Sequence, residues 1–140
     1  IGNVLTRGGI GQSTYISIGG DLLIGTGFVP LLRLFENDPD TRGVVLFGEP
    51  GTGHEEEVAE LVRQGGFTKT LVALVVGEAV ENLPRGMSFG HTSTIVERGL
   101  GSPIRKKMLL RESGVKVAES LSEIPVLVEG GLGLRSGVGI

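Results

Sequence analysis

The chain has 140 residues, of which 39% are hydrophobic and 21% charged, which indicates one globular domain with a buried core. The net charge of −3, the absence of a basic stripe and an aromatic content of 4% argue against nucleic-acid and membrane-surface partners. Without cysteine the chain has no disulfide, thiolate nucleophile or Cys-based zinc site, which is typical of the cytoplasm or the mitochondrial matrix.

Glycine is the compositional outlier, with 25 of 140 residues. Glycines cluster where predicted strands would end, which is where α/β proteins place ligand-binding loops: Gly19-Gly20, Gly48 to Gly53, Gly77 and Gly86 to Gly90. The run from Gly130 to Gly139 shows neither a strand nor a helix period. We therefore predict a domain over residues 1–125 and a glycine-rich tail over 126–140.

The first elements have clear local signals. Ile1 to Gly8 reads as the end of a helix, and since a domain rarely begins in mid-helix we expect further chain before it. Thr14 to Ile18 has strand composition and ends at two glycines. Thr26 is the predicted N-cap of the next helix, and Asn37-Asp-Pro-Asp40 is predicted to end it. The apolar stripe of this helix comprises Phe28, Leu31, Leu32 and Phe35.

Two apolar runs follow, each closed by glycine. Gly43 to Phe47 and Thr70 to Val76 predict strands that are covered on both faces. Between them, Thr52 or Gly53 opens a helix whose first turn is acidic, at Glu55 to Glu57, where negative charge suits the helix dipole. Its inward positions are Val58, Leu61 and Val62.

The last third begins with a proline signal. Ser102-Pro103 predicts an N-cap and first residue of a helix that runs to about Glu112. Val115 to Val117 predicts a short final strand, and Ser120 or Ser122 caps a last turn that Pro125 ends. Alternating strands and helices indicate an α/β fold with a parallel sheet, whose ligands lie beyond the carboxyl ends of the strands.

His91 is the first candidate for chemistry. It lies in a short polar segment between Gly90 and Thr92 to Thr94. An imidazole with an ordinary pKa near 6.5 could attack phosphorus through one nitrogen while the other donates a hydrogen bond. The alternative is a solvated loop histidine, which is the commoner case.

Glu49 is the natural acceptor for that second hydrogen bond, and the alternative is a surface glutamate at a strand end. Gly51-Thr52-Gly53 precedes a helix, so its free N–H groups could hold a phosphate; a simple glycine-rich turn is the alternative. No Walker-type motif is present.

His54 is the second candidate histidine, and we expect it to be solvated or to help cap the helix. Because the two histidines and Glu49 match no ligand spacing, we predict no metal on protein ligands alone.

Motifs along nearly the whole chain carry a family resemblance. From about residue 10 to 124 the sequence resembles the succinyl-CoA synthetase α subunit and its relatives that ligate CoA to malate or citrate, including the ligase part of ATP-citrate lyase. The segment Phe89-Gly-His91 is more similar to the relatives that ligate CoA to citrate. The matching segments are Gly11 to Thr14, Ile18 to Asp21, Gly25-Thr26, Leu34 to Asp38, Gly48-Glu49, Glu55 to Glu57, Phe89 to His91, Gly101-Ser102 and Ser113 to Ser120.

The resemblance implies a flavodoxin-like, doubly wound parallel sheet with a phosphorylated histidine, by position His91, and Glu49 as its carboxylate partner. It also implies that the turn at Gly51 to Gly53 begins the helix that points its dipole at the phosphoryl group. The implied substrates are CoA, ATP or GTP with Mg, and a small carboxylic acid of the tricarboxylic acid cycle, none held tightly by this chain. The implied partners are a nucleotide-binding ATP-grasp subunit and a preceding CoA-binding domain.

The chain departs from the family pattern in the loop itself. The family usually has Gly-Glu-Ile-Gly-Gly there, whereas this chain has Pro50 and Thr52, and Thr92-Ser93 replaces Ala-Gly after the histidine. The first strand that the family fold implies is expected ahead of Ile1, so the chain alone should turn over nothing. Two rival interpretations are a non-catalytic assembly module and a phosphate-binding domain without a covalent step.

Overall fold

A parallel sheet forms the centre of the molecule in the computed structural model, which describes residues 1–20, 24–79 and 101–134. The strands are β1 (Gly43–Gly48), β2 (Thr70–Val75) and β3 (Lys116–Ala118), in the order β1-β2-β3. β1 pairs with β2 from Gly43 opposite Thr70 to Gly48 opposite Val75, and Val72 of β2 lies opposite Lys116. The predicted parallel sheet is confirmed, although β3 begins one residue later than expected.

Helices cover both faces of this sheet. The α-helices in the described residues are α1 (Gly2–Arg7), α2 (Phe28–Asn37), α3 (His54–Arg63), α4 (Pro103–Glu112) and α5 (Ile124–Leu132). One hydrophobic cluster joins α2, α3 and α4 to one face, and a second joins α1 and α5 to the other. The fold is therefore the doubly wound, flavodoxin-like α/β fold that the resemblance implied. No helix in these ranges is long and apolar enough to cross a bilayer.

Strand β2 shows why the sheet has two cores. Its side chains alternate between the faces, so that Leu71, Ala73 and Val75 belong to one cluster and Val72 and Leu74 to the other. All five are at most 5% exposed. The continuous apolar run in the sequence thus reflects a central strand that is covered on both sides.

The helix-start predictions have different outcomes. Ser102 caps α4 as predicted, because its Oγ accepts a hydrogen bond from the N–H of Arg105 at 3.3 Å. The predicted cap at Thr26 is wrong: Gly27 is the N-cap of α2, and no side chain caps that end. The α2 stripe is nevertheless confirmed, since Leu32 is 2% exposed and Phe28 packs against the same cluster.

The predicted strand at Thr14 to Ile18 is wrong. These residues have no regular secondary structure, and Tyr15 is 81% exposed. A cavity of about 810 Å³ lies between this segment and β1 and is lined by residues of both. A strand composition forms a strand only beside a neighbour that accepts its hydrogen bonds, and this segment pairs with none of the strands in the described residues.

The predicted tail is also wrong over residues 126–132, which belong to α5. Val128 is buried against the sheet, and Gly131 lies so close to β2 that a Cβ there would collide with the Thr70 side chain. Pro125 lies in the first turn of α5 and does not end a helix, because the N–H that proline lacks is unpaired there anyway. Residues 135–140 lie outside the described ranges.

Candidate active site

Glu49 is the first residue after β1, at the carboxyl end of the sheet, and it is half-buried. The next strand ends beside it, because the N–H of Val76 donates to the carbonyl of Gly48 at 3.0 Å. The loops after β1 and β2 therefore share one edge. This edge is where open α/β sheets bind their ligands.

The loop after Glu49 turns through two left-handed residues, Gly51 with φ 82° and Thr52 with φ 49°. The N–H of Gly51 donates to the carbonyl of Gly101 at 2.9 Å. A Cβ on Gly101 would stand 2.6 Å from the Gly51 Cα, and a Cβ on Gly77 would collide with the Pro50 ring. The loop is thus fixed by close contacts that only glycine allows at residues 77 and 101.

The turn leads directly into α3, whose N-cap is Gly53. The carbonyl of Gly53 accepts the first helical hydrogen bond, from the N–H of Glu57 at 3.1 Å. Within the part of the chain that the structure describes, the N–H groups of Thr52 and Gly53 donate no hydrogen bond, whereas that of Gly51 is occupied. A helix start of this kind, with its positive dipole end, favours anions.

Lys106 of α4 is fully buried beneath this loop. Its Nζ lies 2.5 Å from Glu55 Oε2 and donates to the carbonyls of Glu49 and Gly51 at 2.8 and 2.5 Å. The ammonium group therefore forms an ion pair with Glu55 and hydrogen bonds to two carbonyls of the loop. Removing one partner of such a buried pair costs about 3 to 5 kcal/mol, because the other charge is left unpaired.

Glu55, in the first turn of α3, is 2% exposed. Its Oε1 accepts a hydrogen bond from the N–H of Glu49 at 3.3 Å. Burial raises the pKa of the Glu55 carboxyl above its ordinary value of 4.5, and the positive charge of Lys106 opposes that rise. The next residue, Glu56, accepts from the N–H of Gly101 at 3.2 Å, so the acidic start of α3 anchors two loops.

The sequence interpretation missed both Lys106 and Glu55, although helical spacing contained the signal. Glu55 lies three residues before Val58, and Lys106 lies four residues before Leu110; both of these apolar residues are fully buried. Residues at these spacings share one helix face. The helix dipole alone does not account for the acidic turn, since one of its three carboxylates is in the interior.

His54 packs between helices. Its ring lies edge-on to Phe28 of α2, with the centroids 6.2 Å apart, and its Nδ1 is 3.9 Å from Glu57 Oε2. The described residues contain no group of three or more His, Asp or Glu that could hold a metal ion. His91 lies among residues 80–100, outside the described ranges, so its pairing with Glu49 stays a prediction.

Comparison with known proteins identifies the family. The family model described as CoA-ligase matches residues 1–115. The chain belongs to the CoA-ligase family. Its relatives include the α2 subunit of an ADP-forming succinate–CoA ligase from Archaeoglobus fulgidus, 43% identical over 124 residues. Another is subunit SauD of an ADP-forming sulfoacetate-CoA ligase from Bilophila wadsworthia, 43% identical over 129 residues.

These matches cover most of this CoA-ligase chain but less than half of each relative: 89% of the chain and 42% of the first, 92% and 43% of the second. Among solved structures, Methanosaeta concilii ATP citrate lyase in complex with (3S)-citryl-CoA superposes with a TM-score of 0.84 at 24% identity, over 94% of this chain and 21% of that one. The resemblance to the succinyl-CoA synthetase α subunit is thereby confirmed, and this chain is a CoA-ligase module of that kind.

Proposed function

We propose that this module is the phosphoryl-carrying part of an acyl-CoA synthetase, which makes an acyl-CoA from a carboxylic acid, CoA and a nucleoside triphosphate. The observation that carries the proposal is the position of Glu49, which follows β1 at the ligand edge of the sheet, one turn before the start of α3. A carboxylate and a helix N-terminus together suit a histidine that must become phosphorylated. Family membership supports the same conclusion.

In the proposed reaction the phosphoryl group moves twice. One nitrogen of His91 attacks the γ-phosphorus, the bond to the β-phosphate oxygen breaks and the nucleoside diphosphate leaves. A carboxylate oxygen of the acid then attacks the same phosphorus, which breaks the N–P bond and gives an acyl phosphate. The sulfur of CoA attacks the acyl carbon, inorganic phosphate leaves with the bonding electrons, and the thiol proton passes to the phosphate.

Each residue of the site has one task in this scheme. Glu49 accepts the hydrogen bond from the other ring nitrogen of His91 and stabilises the positive charge on the phosphorylated ring. The N–H groups of Thr52 and Gly53, at the positive end of the α3 dipole, stabilise the negative phosphoryl oxygens. Both contributions are fixed in place before the reaction, so reorganisation costs little.

The relatives narrow the proposed substrates. Both 43% identical relatives are named as ADP-forming, one for succinate and one for sulfoacetate. We therefore favour ATP and a small acid that carries a second negative group. Citrate or malate is the alternative acid, and the ATP citrate lyase likeness supports only the fold. We also expect a nucleotide-binding partner subunit and a CoA-binding domain to complete the enzyme.

The test uses the complete protein that contains this chain, assembled with its nucleotide-binding partner and incubated with γ-labelled ATP. We expect acid-labile, base-stable label in the wild type and none in the His91→Gln variant. His54→Gln is the matched control, because it removes the chain's other histidine, and it should keep the label. Label retained by His91→Gln, or lost only from His54→Gln, would refute the proposal.

A further inference from the structure

The buried pair of Lys106 and Glu55 holds the loop that carries Glu49. Lys106 is fully buried and Glu55 is 2% exposed, so neither side chain can reach a substrate in the solvent. Both nevertheless contact this loop through its backbone. The pair is therefore placed to act through Glu49 and not on the reacting atoms.

The two charges fix both peptide groups of Glu49. Glu55 Oε1 accepts from its N–H at 3.3 Å, and Lys106 Nζ donates to its carbonyl at 2.8 Å. With the N–H and the carbonyl both held, the backbone dihedrals of Glu49 are constrained, and they set the direction in which its side chain leaves the loop. Glu49 is thus aimed by charged groups on two different helices.

Lys106 also holds the next part of the loop, where it donates to the Gly51 carbonyl at 2.5 Å. That carbonyl belongs to the peptide group whose N–H is on Thr52. The orientation of this peptide therefore depends on Lys106, and so does the direction of a proposed phosphate-binding N–H. A single ammonium group connects the carboxylate and the anion-binding turn.

Stability alone does not explain such a pair. Apolar residues of similar volume often replace a buried ion pair with no loss, because taking two charges out of water is costly. A pair whose remaining hydrogen bonds all go to one functional loop is better explained by positioning. Lys107, the next residue of α4, provides the contrast: it is 7% exposed and pairs with Glu78 and Glu119 at 2.5 and 2.8 Å, and it makes no hydrogen bond to the backbone of residues 49–53.

We propose that Lys106 and Glu55 are positioning residues that orient the Glu49 carboxylate and the Thr52 N–H for phosphoryl transfer. The proposal rests on the proposed function. Since the pair does not touch substrate, its loss should slow the transfer step and leave the nucleotide KM unchanged. Misplacement of reacting groups by about 1 Å costs on the order of 100-fold in rate.

The experiment measures single-turnover labelling of the assembled enzyme by γ-labelled ATP. In Glu55→Gln and Lys106→Met we expect the rate of label formation to fall by about 10- to 100-fold at unchanged KM. Lys107→Met is the matched control, because it removes a neighbouring, mostly buried lysine, and it should label at the wild-type rate. Circular dichroism establishes that each variant is folded.

A double-variant cycle tests whether the pair acts through Glu49. If it does, adding Glu55→Gln to Glu49→Gln should cost less than Glu55→Gln costs in the wild type, with any remaining loss coming from the Thr52 N–H, whereas independent effects would multiply. Multiplying effects, or wild-type labelling by a folded Glu55→Gln variant, would overturn the inference. So would loss of folding in Glu55→Gln, Lys106→Met and their combination, since the pair would then serve stability. Absence of label in the wild type would instead refute the proposed function.

Discussion

Thr52 adopts a backbone conformation that its side chain disfavours. Its φ of 49° is in the left-handed region, where a β-branched residue is an outlier, and it follows Gly51 with φ 82°. The family pattern usually has glycine at both positions, whereas this chain has threonine at the second. The strain lies next to the N–H group that we assign to phosphate binding.

We predict that Thr52→Gly stabilises the protein. Relief of the left-handed strain contributes about 1 to 2 kcal/mol, and the greater freedom of glycine in the unfolded chain offsets roughly 0.4 to 1 kcal/mol. The expected net gain in the free energy of unfolding is therefore roughly 0.5 to 1 kcal/mol, measured by urea denaturation. Thr52→Ala serves as the control, because it keeps a Cβ and should gain less; an equal gain in both variants would contradict the strain argument.

At the scale of elements, carboxylates at the end of α2 accept hydrogen bonds from the segments that precede β1 and β2. Glu36 accepts from the N–H and the Oγ of Thr68 at 3.0 and 2.5 Å, and Asp38 accepts from the Oγ of Thr41 at 2.5 Å. The Thr68 hydroxyl, followed by its N–H, lowers the pKa of Glu36 below 4.5. The Thr41 hydroxyl similarly lowers the pKa of Asp38 below 3.8.

These two carboxylates should make the free energy of unfolding depend on pH in the acid range. Because both folded-state pKa values lie below those of the unfolded chain, the unfolded state binds protons first as the pH falls. The stabilisation is complete above about pH 5 and is lost as the pH drops through 4.5 and then through the lower folded values. We expect Glu36→Gln to reduce the slope of unfolding free energy against pH, measured by urea denaturation between pH 7 and 3.

The control for this prediction is Glu112→Gln. Glu112 is exposed at the end of α4, and its side chain makes no hydrogen bond or ion pair within the described part of the chain. Its removal should leave the slope close to that of the wild type. If the slope for Glu36→Gln equals the wild-type slope, the hydrogen bonds from Thr68 do not stabilise the charged form of Glu36.

The elements also show what sequence reasoning can reach. Signals confined to one element were sufficient for α4, where Ser102 and Pro103 mark the first turn, and for β2, whose apolar run reflects two covered faces. Contacts between distant residues were not predictable this way. The pair of Glu55 and Lys106 joins positions 51 residues apart, and the failure of Thr14 to Ile18 to form a strand depends on what lies beside it.

At the scale of the whole molecule, β1 has one unpaired edge within the described residues. β2 occupies its other side, and the unpaired edge faces the cavity of about 810 Å³. Phe47, near the end of β1, is 48% exposed. An open, apolar strand edge is a template for pairing with another chain.

We therefore predict that the 140-residue chain, produced by itself, associates with itself at micromolar concentrations. Sedimentation velocity should show oligomers whose fraction rises with concentration. Phe47→Lys should reduce the association, because a charge on an edge strand opposes edge-to-edge pairing. Leu34→Lys is the matched control, since Leu34 is 68% exposed on α2 and away from the edge. A monomeric wild type, or equal reduction by both variants, would contradict this prediction.

The close approach of α5 to β2 has a practical consequence for anyone who shortens or fuses this protein. A cut after Pro125, shortly before the glycine-rich run that begins at Gly130, would remove Val128 and also Gly131, whose backbone lies against the Thr70 side chain. Val72 and Leu74 would then lose part of the apolar cover on their face of the sheet. Tags, linkers and truncation points should therefore be placed after Leu132, beyond the last turn of the helix.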